Sequence, residues 1–456
     1  MERVQPKTLP GFMELLPGPQ AKMERLLDVL RQSYSLYGFA ALDTPIIEDA
    51  GVLLAKGGGD TEKQIYRLTR GDNELALRFD LTVPLAKYVA LNYAKLTFPF
   101  RRYQIGKVYR GERNQRGRYR EFYQADIDII GDGELGIMSE AEIPAIICHT
   151  FRRLGLEGFQ IRINNRRVLS GLFAILGLSS QAGEVMRTVD KMEKIGTDKT
   201  RATLCELDVS DAATDELLAF IGAEGSNAQK LSFLEKWRGQ NDIFDRGLDE
   251  LAAVVRYLPA FGVEERHCAI DLTIARGLDY YTGTVYETRM LAHPEIGSIC
   301  SGGRYDDLAQ YYTDKKLPGV GISIGVTRLF FVLEEQGLLS DALIDAPADA
   351  LVIPMTEDWT FAIEAATALR GAGIRTQIYT EQKKFKAKIG YADKQAMPFA
   401  LFVGEDEIAA AEVTVKDMVS GAQHRLSVEA AARHMLEALA PRRAATVIDE
   451  RKENHE

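Results

Sequence analysis

Residues 101–128 read RRYQIGKVYRGERNQRGRYREFYQADID, and this stretch decides how the chain folds. The runs 101–109 and 122–130 are rich in aromatic and β-branched residues, which predicts two strands around a loop centred on 114–117. Similar short runs recur along the chain, at 65–68, 75–79, 159–163, 267–273, 283–289 and 319–324. Helices do not alternate strictly with these runs, so the pattern favours an antiparallel or mixed sheet over a parallel one.

The same stretch concentrates positive charge in an acidic chain. Lys and Arg total 56 against 66 Asp and Glu, a net charge of −10, so a uniformly basic binder is excluded. Only Glu112 and Glu121 oppose the basic side chains of residues 101–121. These are Arg101, Arg102, Lys107, Arg110, Arg113, Arg116, Arg118 and Arg120. Arginine forks suit phosphate oxygens and the interleaved aromatic rings suit a base, although a solvated surface hairpin would have the same composition.

Composition describes an ordinary globular protein. Hydrophobic residues make up 46% and charged residues 27% of the 456 residues, which excludes disorder, a collagen-like fibre and a disulfide scaffold. Four scattered cysteines form no CxxC pair, so neither a metal site nor a disulfide framework is expected. The chain has no apolar leader and no run of about 18 apolar residues. We therefore expect a soluble cytoplasmic protein.

The order of patterns along the chain predicts three parts. A helix is expected at 17–37, then a strand at 39–49 broken by Pro45, and a further helix at 83–94. Residues 170–260 have helical spacing and predict a helical insertion. Residues 340–349 (SDALIDAPAD) have the composition of a linker, and the polar tail 442–456 is expected to fray. Strands expected in the last part are 351–354, 376–379, 399–403 and 412–417, alternating with helices 359–370 and 428–439, which indicates a separate α/β domain.

Three glycine- and aromatic-rich motifs lie in the second half of the chain. ARGLDYYTGTVYE (275–287) places one arginine near two tyrosines. This pattern indicates either a binding site for a small planar polar ligand or a hairpin turn whose tyrosines pack in the core. SGGRYDDL (301–308) allows close backbone approach, although such a pair is more often a turn. PGVGISIGVTRL (318–329) predicts a strand followed by a helix that begins near Arg328. Either Arg328 binds a phosphate there, or the strand and the helix simply pack tightly against each other.

Together these segments resemble the class II aminoacyl-tRNA synthetases, and within them the histidyl-tRNA synthetases, over nearly the whole chain. YRGER and GRYREF resemble motif 2, GVGISIGVTRL resembles motif 3, and the first helix with FAALDTPIIED resembles motif 1. RGLDYYTGTVYE and SGGRYDDL are similar to the two histidine-specific signatures. FVGEDEIAAAEVTVKDM (402–418) resembles the family's α/β anticodon-binding domain.

The resemblance implies a fold and a division into parts. The fold is α+β: an antiparallel sheet with flanking helices, a helical insertion and a C-terminal α/β anticodon-binding domain. The parts are 1–169, the first part of the catalytic core, 170–260, the insertion, 261–338, the second part of the core, and 350–440, the anticodon-binding domain.

The resemblance also implies residue roles. Arg110 matches the arginine on the ATP α-phosphate and the histidine carboxylate, and Arg276 matches a second α-phosphate arginine that also contacts histidine, so both are catalytic candidates. Glu112 and Phe122 match the contacts to adenine, and Arg118 and Arg328 those to the β- and γ-phosphates. Gln115 matches a contact to the tRNA acceptor end. The histidine pocket matches Asp80, Leu81, Thr82, Gln124, Asp128, Tyr280 and Tyr281.

The activity implied is histidine–tRNA ligation, with ATP, L-histidine and tRNA(His) as substrates, Mg²⁺ accompanying ATP, no metal site of the protein's own, no membrane, and a homodimer. Histidine selectivity would need a buried acceptor for a ring N–H, which Asp128 with a tyrosine supplies. The chain departs from the family pattern at Asn114, where bacterial members usually have proline, and at Thr327, where glutamate usually stands.

Three other functions fit parts of this pattern. A synthetase-like regulatory subunit of ATP phosphoribosyltransferase has a similar core, but typically lacks the anticodon domain and the catalytic arginines, both of which are in this sequence. Another class II synthetase, for threonine, proline or glycine, conflicts with RGLDYYTGTVYE. A generic nucleotide-binding module would need only part of the motif set.

Overall fold

The computed structural model describes residues 3–55, 60–112, 117–189, 192–274, 280–340, 343 and 346–449. The strands are β1 (Ala40–Ala41), β2 (Ile47–Asp49), β3 (Arg67–Arg70), β4 (Asn73–Leu77), β5 (Phe100–Tyr109), β6 (Glu121–Ile130), β7 (Phe159–Asn165), β8 (Cys268–Ile270), β9 (Thr284–Met290), β10 (Ser298–Tyr305), β11 (Gly319–Gly325), β12 (Ala350–Pro354), β13 (Thr376–Ile378), β14 (Phe399–Val403), β15 (Glu412–Asp417) and β16 (Gln423–Ser427).

The helices are α1 (Pro17–Leu36), α2 (Ala50–Leu53), α3 (Asp60–Gln64), α4 (Thr82–Asn92), α5 (Met138–Leu154), α6 (Arg166–Ile175), α7 (Ala182–Val189), α8 (Met192–Ile195), α9 (Thr197–Glu206), α10 (Asp211–Ile221), α11 (Asn227–Leu234), α12 (Asp242–Tyr257), α13 (Val326–Glu335), α14 (Thr360–Gly371), α15 (Phe385–Lys394), α16 (Glu405–Ala410) and α17 (Val428–Ala444). Among the described residues, none of these helices is long and apolar enough to cross a membrane.

An eight-stranded sheet dominates the first of two compact units, which is built mainly from Val29–Gly337. Its strand order is β1-β5-β6-β11-β10-β9-β7-β8. The six central strands pair antiparallel, and only the short edge strands β1 and β8 pair parallel to their neighbours. The expected antiparallel sheet is therefore confirmed. Because β11 inserts between β6 and β10, residues nearly 200 positions apart in sequence share one face of this sheet.

Two details of this unit differ from the sequence predictions. The strand predicted at 39–49 is two short strands, because the chain leaves the large sheet after β1 and joins the three-stranded sheet β2-β4-β3 beyond Pro45. The glycines of SGGRYDDL, for which a turn was the commoner alternative, lie inside β10. Gly302 pairs with Ile322 of β11 and with Tyr286 of β9, so it is a site of close approach between strands.

The second unit comprises Glu14–Asp28 and Leu338–Lys452. Its sheet has the order β13-β12-β14-β15-β16, parallel through β14 and antiparallel beyond it. The segment 340–349 is more than a loose linker, because Ala346 and Asp349 are buried and Asp349 pairs with Arg375 and Arg443. The tail is also packed where it is described, since Val447 and Ile448 are buried. The expectation of fraying is therefore wrong up to Asp449.

Candidate active site

A cavity of about 870 Å³ lies in the first unit, lined mainly by β6, β9, β10 and β11 and by the β5–β6 connection. Most of the site residues expected from the sequence line it. They are Asp80, Thr82, Arg110, Glu112, Arg118, Phe122, Gln124, Asp128, Tyr280, Tyr281 and Arg328. Leu81 does not line the cavity: its side chain is fully buried, and its carbonyl accepts a hydrogen bond from Arg102. Gln115 and Arg276 lie outside the described residues.

Arg110 lies at the centre of the cavity wall, just beyond the end of β5. Its guanidinium lies 4.2 Å from the ring centre of Phe79 and 5.2 Å from that of Phe122. Burial lowers the pKa of Arg110, while Asp80 and Glu112 act in the opposite direction. A guanidinium between two aromatic faces is fixed in direction without losing its hydrogen-bond donors. It is therefore ready to bind a ligand's phosphate or carboxylate.

Arg118 and Arg328 form a second cationic group. Arg118 lies 3.5 Å from the Glu112 carboxylate, and Arg328 donates to the carbonyls of Ser298 and Ile296. Burial, and then the charge of Arg118, lowers the pKa of Arg328. Two guanidiniums that repel one another at a cavity wall would both be stabilised by a shared polyanion. Thr327, one of the two departures from the family pattern, is buried and accepts a hydrogen bond from the backbone of Tyr123 at 2.8 Å, which ties α13 to β6.

A further part of the cavity lining is acidic and aromatic. Asp80 accepts hydrogen bonds from the backbone N–H groups of Thr82 and Val83 at the start of α4, and burial raises its pKa. The Tyr280 and Tyr281 rings meet edge to face with 5.0 Å between their centres. An acid facing tyrosines in a largely buried pocket can orient an amine or a planar ring.

Sequence reasoning missed the partners of Asp128. Arg102 on β5 is fully buried and lies 2.7 Å from the Asp128 carboxylate, and the Tyr305 hydroxyl donates to the other oxygen at 2.6 Å. Burial nevertheless raises the pKa of Asp128 to about 6. Asp126 was missed too, although it lies two residues away on the same strand. The alternation of β6 was the signal, because it places residues 124, 126 and 128 on one face.

Fewer of the basic side chains in residues 101–121 face the cavity than the composition of this stretch indicated. Arg101 pairs with Glu142 at 2.9 Å, and Lys107 pairs with Glu121 at 2.7 Å. Arg102 is buried against Asp128, and Arg120 donates to the Glu112 carbonyl. These four of the eight basic side chains have partners within the protein and do not line the cavity. Arg110 and Arg118 line the cavity, while Arg113 and Arg116 lie outside the described residues.

Comparisons with known proteins agree with this geometry. A family model described as histidyl-tRNA synthetase matches residues 11–329, and one described as an anticodon binding domain matches residues 349–438. A protein of Clostridium tetani named histidine–tRNA ligase is 51% identical over 94% of this chain and 97% of its own length.

Two solved structures are also similar. A histidyl-tRNA synthetase from Nostoc sp. PCC 7120 superposes with a TM-score of 0.89 at 37% identity, over 96% of this chain and 100% of that one. An ATP phosphoribosyltransferase regulatory subunit/histidyl-tRNA synthetase from Bacillus halodurans C has a TM-score of 0.72 at 21% identity, over 88% of this chain and 99% of that one. The latter likeness is evidence of a common fold alone.

A mostly antiparallel sheet with an arginine-lined cavity, followed by a smaller α/β unit, defines a class II aminoacyl-tRNA synthetase. With one family model covering residues 11–329 and a relative 51% identical over most of the chain, the chain belongs to the histidyl-tRNA synthetase family.

Proposed function

We propose that the cavity of the first unit carries out both steps of histidine–tRNA ligation: activation of L-histidine with ATP, then transfer of histidine to the 3′ end of tRNA(His). The chain is an enzyme of this class, and the proposal concerns where and how it acts. One observation carries it. Three arginines, Arg110, Arg118 and Arg328, line the same cavity as the acid and tyrosine wall formed by Asp80, Asp128, Tyr280 and Tyr281.

Activation needs positioning more than acid–base chemistry. A carboxylate oxygen of histidine attacks the α-phosphorus of ATP, the bond from that phosphorus to the bridging oxygen breaks, and pyrophosphate leaves with the electron pair. The nucleophile is already ionised, so no general base is required. The protein must align two anions and stabilise the charge on the phosphate oxygens. A cavity wall of arginines supplies this.

ATP is proposed to lie against the arginines of the cavity. Arg110 contacts the α-phosphate and the histidine carboxylate, where both reacting groups meet. Arg118 and Arg328 hold the β- and γ-phosphates, and a polyphosphate between them removes their mutual repulsion. Phe122 lies under the adenine ring and Glu112 faces its amino group. Arg276 is proposed as a second α-phosphate ligand on the strength of its motif.

Histidine occupies the acidic and aromatic side. Asp80, with Thr82, binds the α-amino group, and the backbone of Leu81 connects them. Gln124, Tyr280 and Tyr281 enclose the ring. Asp128 accepts a ring N–H, and a carboxylate oxygen has lone pairs for this acceptor role beyond the contacts from Arg102 and Tyr305.

Transfer follows in the same place. A hydroxyl of the terminal ribose attacks the activated carbonyl carbon, an ester forms, and AMP leaves. Gln115 is proposed to contact the acceptor end, and the unit that contains residues 350–440 to read the anticodon stem.

Magnesium is proposed as the companion of ATP. The part of the chain that the structure describes holds no group of three or more candidate metal ligands. Mg²⁺ bound chiefly by substrate phosphates and water suits such a site. We further propose a homodimer, from the resemblance of α1 and the following strands to motif 1, and a cytoplasmic location.

Amino-acid-dependent exchange of pyrophosphate into ATP, run with each of the twenty amino acids, tests the proposal. We expect exchange with L-histidine alone, abolished by removal of Mg²⁺. Equal exchange with threonine, proline or glycine would contradict the assignment of the pocket. Absence of exchange with every amino acid would favour the regulatory-subunit alternative.

A further inference from the structure

Three polar side chains stand in a row on one face of β6, at Gln124, Asp126 and Asp128, and all three line the cavity. The neighbouring strand β11 presents Gly325, Ser323 and Gly321 opposite them in register. A side chain at Gly321 would overlap the Asp128 carboxylate. The polar side chains of β6 therefore fit over β11 because β11 has small residues opposite them.

The two carboxylates of this row differ in their partners. The Asp128 oxygens are engaged by the buried Arg102 and by the Tyr305 hydroxyl, at 2.7 and 2.6 Å. Asp126 is equally buried, with 3% of its surface exposed. Its Oδ1 has no hydrogen-bond partner among the residues that the structure describes.

A buried acceptor without a partner destabilises the protein, and a charged acceptor does so more than a neutral one. The cost is visible in this carboxyl group: burial raises the pKa of Asp126 to about 7, against the effect of Arg102. The unpartnered oxygen belongs to a cavity-lining side chain, so a ligand that brings an N–H donor removes the cost.

We infer that Asp126 is a further specificity-determining residue for histidine: its unpartnered Oδ1 accepts a hydrogen bond from the second N–H of a protonated imidazole ring, whose first N–H binds Asp128. The inference rests on the proposed function. Asp128 is anchored by Arg102 and Tyr305, whereas Asp126 presents an oxygen that only a ligand satisfies. A ring of the same size without an N–H donor leaves that oxygen unpaired, which is the basis of strong discrimination by a buried site.

The test compares histidine with 4-thiazolylalanine, whose five-membered ring has no N–H, in the exchange assay with the full-length protein. Hydrogen bonds to charged groups contribute about 1.5–3 kcal/mol. We therefore expect Asp126→Ala to lower kcat/KM for histidine about 10- to 100-fold, to leave KM for ATP within about twofold, and to leave the weak thiazolylalanine activity nearly unchanged. The ratio between the two substrates falls by the same factor. Asp126→Asn, which keeps an acceptor oxygen, should recover part of the ratio.

A control variant keeps the outcomes distinct. Glu140→Gln alters a fully buried carboxylate outside the cavity lining, one that pairs with Arg304, and should change stability without changing the substrate ratio. Equal losses for both substrates in folded Asp126→Ala, or an unchanged ratio, would overturn the inference. A wild-type protein that does not prefer histidine would instead contradict the proposed function itself.

Discussion

Asp128 and Arg102 form an ion pair in which both side chains are buried. The exposed fraction is 3% for Asp128 and 0% for Arg102. Such a pair adds little net stability, because the loss of hydration offsets the attraction between the charges. Removing one partner is different, since it leaves the other charge buried and unpaired. A substitution at Asp128 therefore changes both folding and ligand binding, and the two effects must be separated.

A double substitution separates them. Asp128→Asn alone should lower Tm, because the buried Arg102 loses its counter-ion, and should raise KM for histidine far more than KM for ATP. Adding Arg102→Met removes the unpaired charge and should restore much of Tm while KM for histidine stays high. Thermal unfolding and steady-state exchange measure the two quantities. If KM for histidine recovers together with Tm, Asp128 acts only through the fold.

Asp126 makes stability depend on pH. Its pKa is about 7 in the folded chain and about 3.8 in an ordinary aspartate, so the folded state binds more protons between these values. Its contribution therefore destabilises the fold progressively as pH rises from about 4 to 7. Asp126→Asn removes the buried charge and should raise Tm by roughly 3–8 °C at pH 8.

The same substitution should have no stabilising effect at pH 4, where aspartate is protonated in the folded state. Melting curves at pH 4, 6 and 8 for both proteins check the trend. A pH-independent difference would mean that the pKa of Asp126 is the same in the folded and unfolded states.

At the scale of elements, β10 depends on its glycines. Gly302 faces Ile322 on one side and Tyr286 on the other, and an added Cβ would overlap the carbonyl oxygen of Gly321. Backbone atoms in the middle of a sheet cannot move aside without breaking ladder hydrogen bonds. β10 packs closely on β11, and β11 in turn pairs with β6 and sets Ser323 and Gly321 beside the acids of β6.

Gly302→Ala should therefore lower both Tm and the rate of histidine-dependent exchange. The free energy of unfolding should fall by more than the few tenths of a kcal/mol that are typical of a substitution at an exposed site. Gly136→Ala is the matched control, because nothing lies within 4 Å of an added Cβ there and its backbone needs no left-handed conformation. Circular dichroism and exchange rates of the two variants give the comparison. Equal behaviour of both variants would show that β10 tolerates a side chain at this position.

At the scale of the whole molecule, charging and activation should be separable. Five lysines lie in and just before α15, and the family resemblance suggests that they meet the tRNA anticodon stem. Lys383, Lys384, Lys386 and Lys394 are exposed, whereas Lys388 is half-buried and donates to the Pro354 carbonyl. A truncation after Ser340 would keep Glu14–Asp28 without the rest of its unit. Substitutions in the full-length chain are therefore the cleaner experiment.

Glutamine at those four exposed positions should weaken tRNA binding and flatten its dependence on salt, because each lost phosphate contact removes about 0.7–0.9 from the log–log slope. Histidine-dependent exchange should stay unchanged. Glutamine at the exposed Lys7 and Lys199, compared with glutamine at Lys383 and Lys384 alone, is the control for net charge. An unaltered salt slope in the α15 variant would show that this surface does not meet the nucleic acid.

Local periodicity and motif spacing determined much of this protein without a structure. Two-residue alternation predicted β5 and β6, and the three- and four-residue spacing of apolar residues predicted α1, because these patterns depend only on neighbours in sequence. The resemblance of short motifs to the family pattern likewise identified eleven of the residues that line the cavity. Only the tertiary structure decided which charges face one another. The pairing of β6 with β5 and β11 sets Arg102 against Asp128 and places Ser323 beside Asp126, while the Asp126 Oδ1 has no hydrogen-bond partner among the described residues. Register between distant strands is a property of the folded sheet, and for that reason no local pattern contains it.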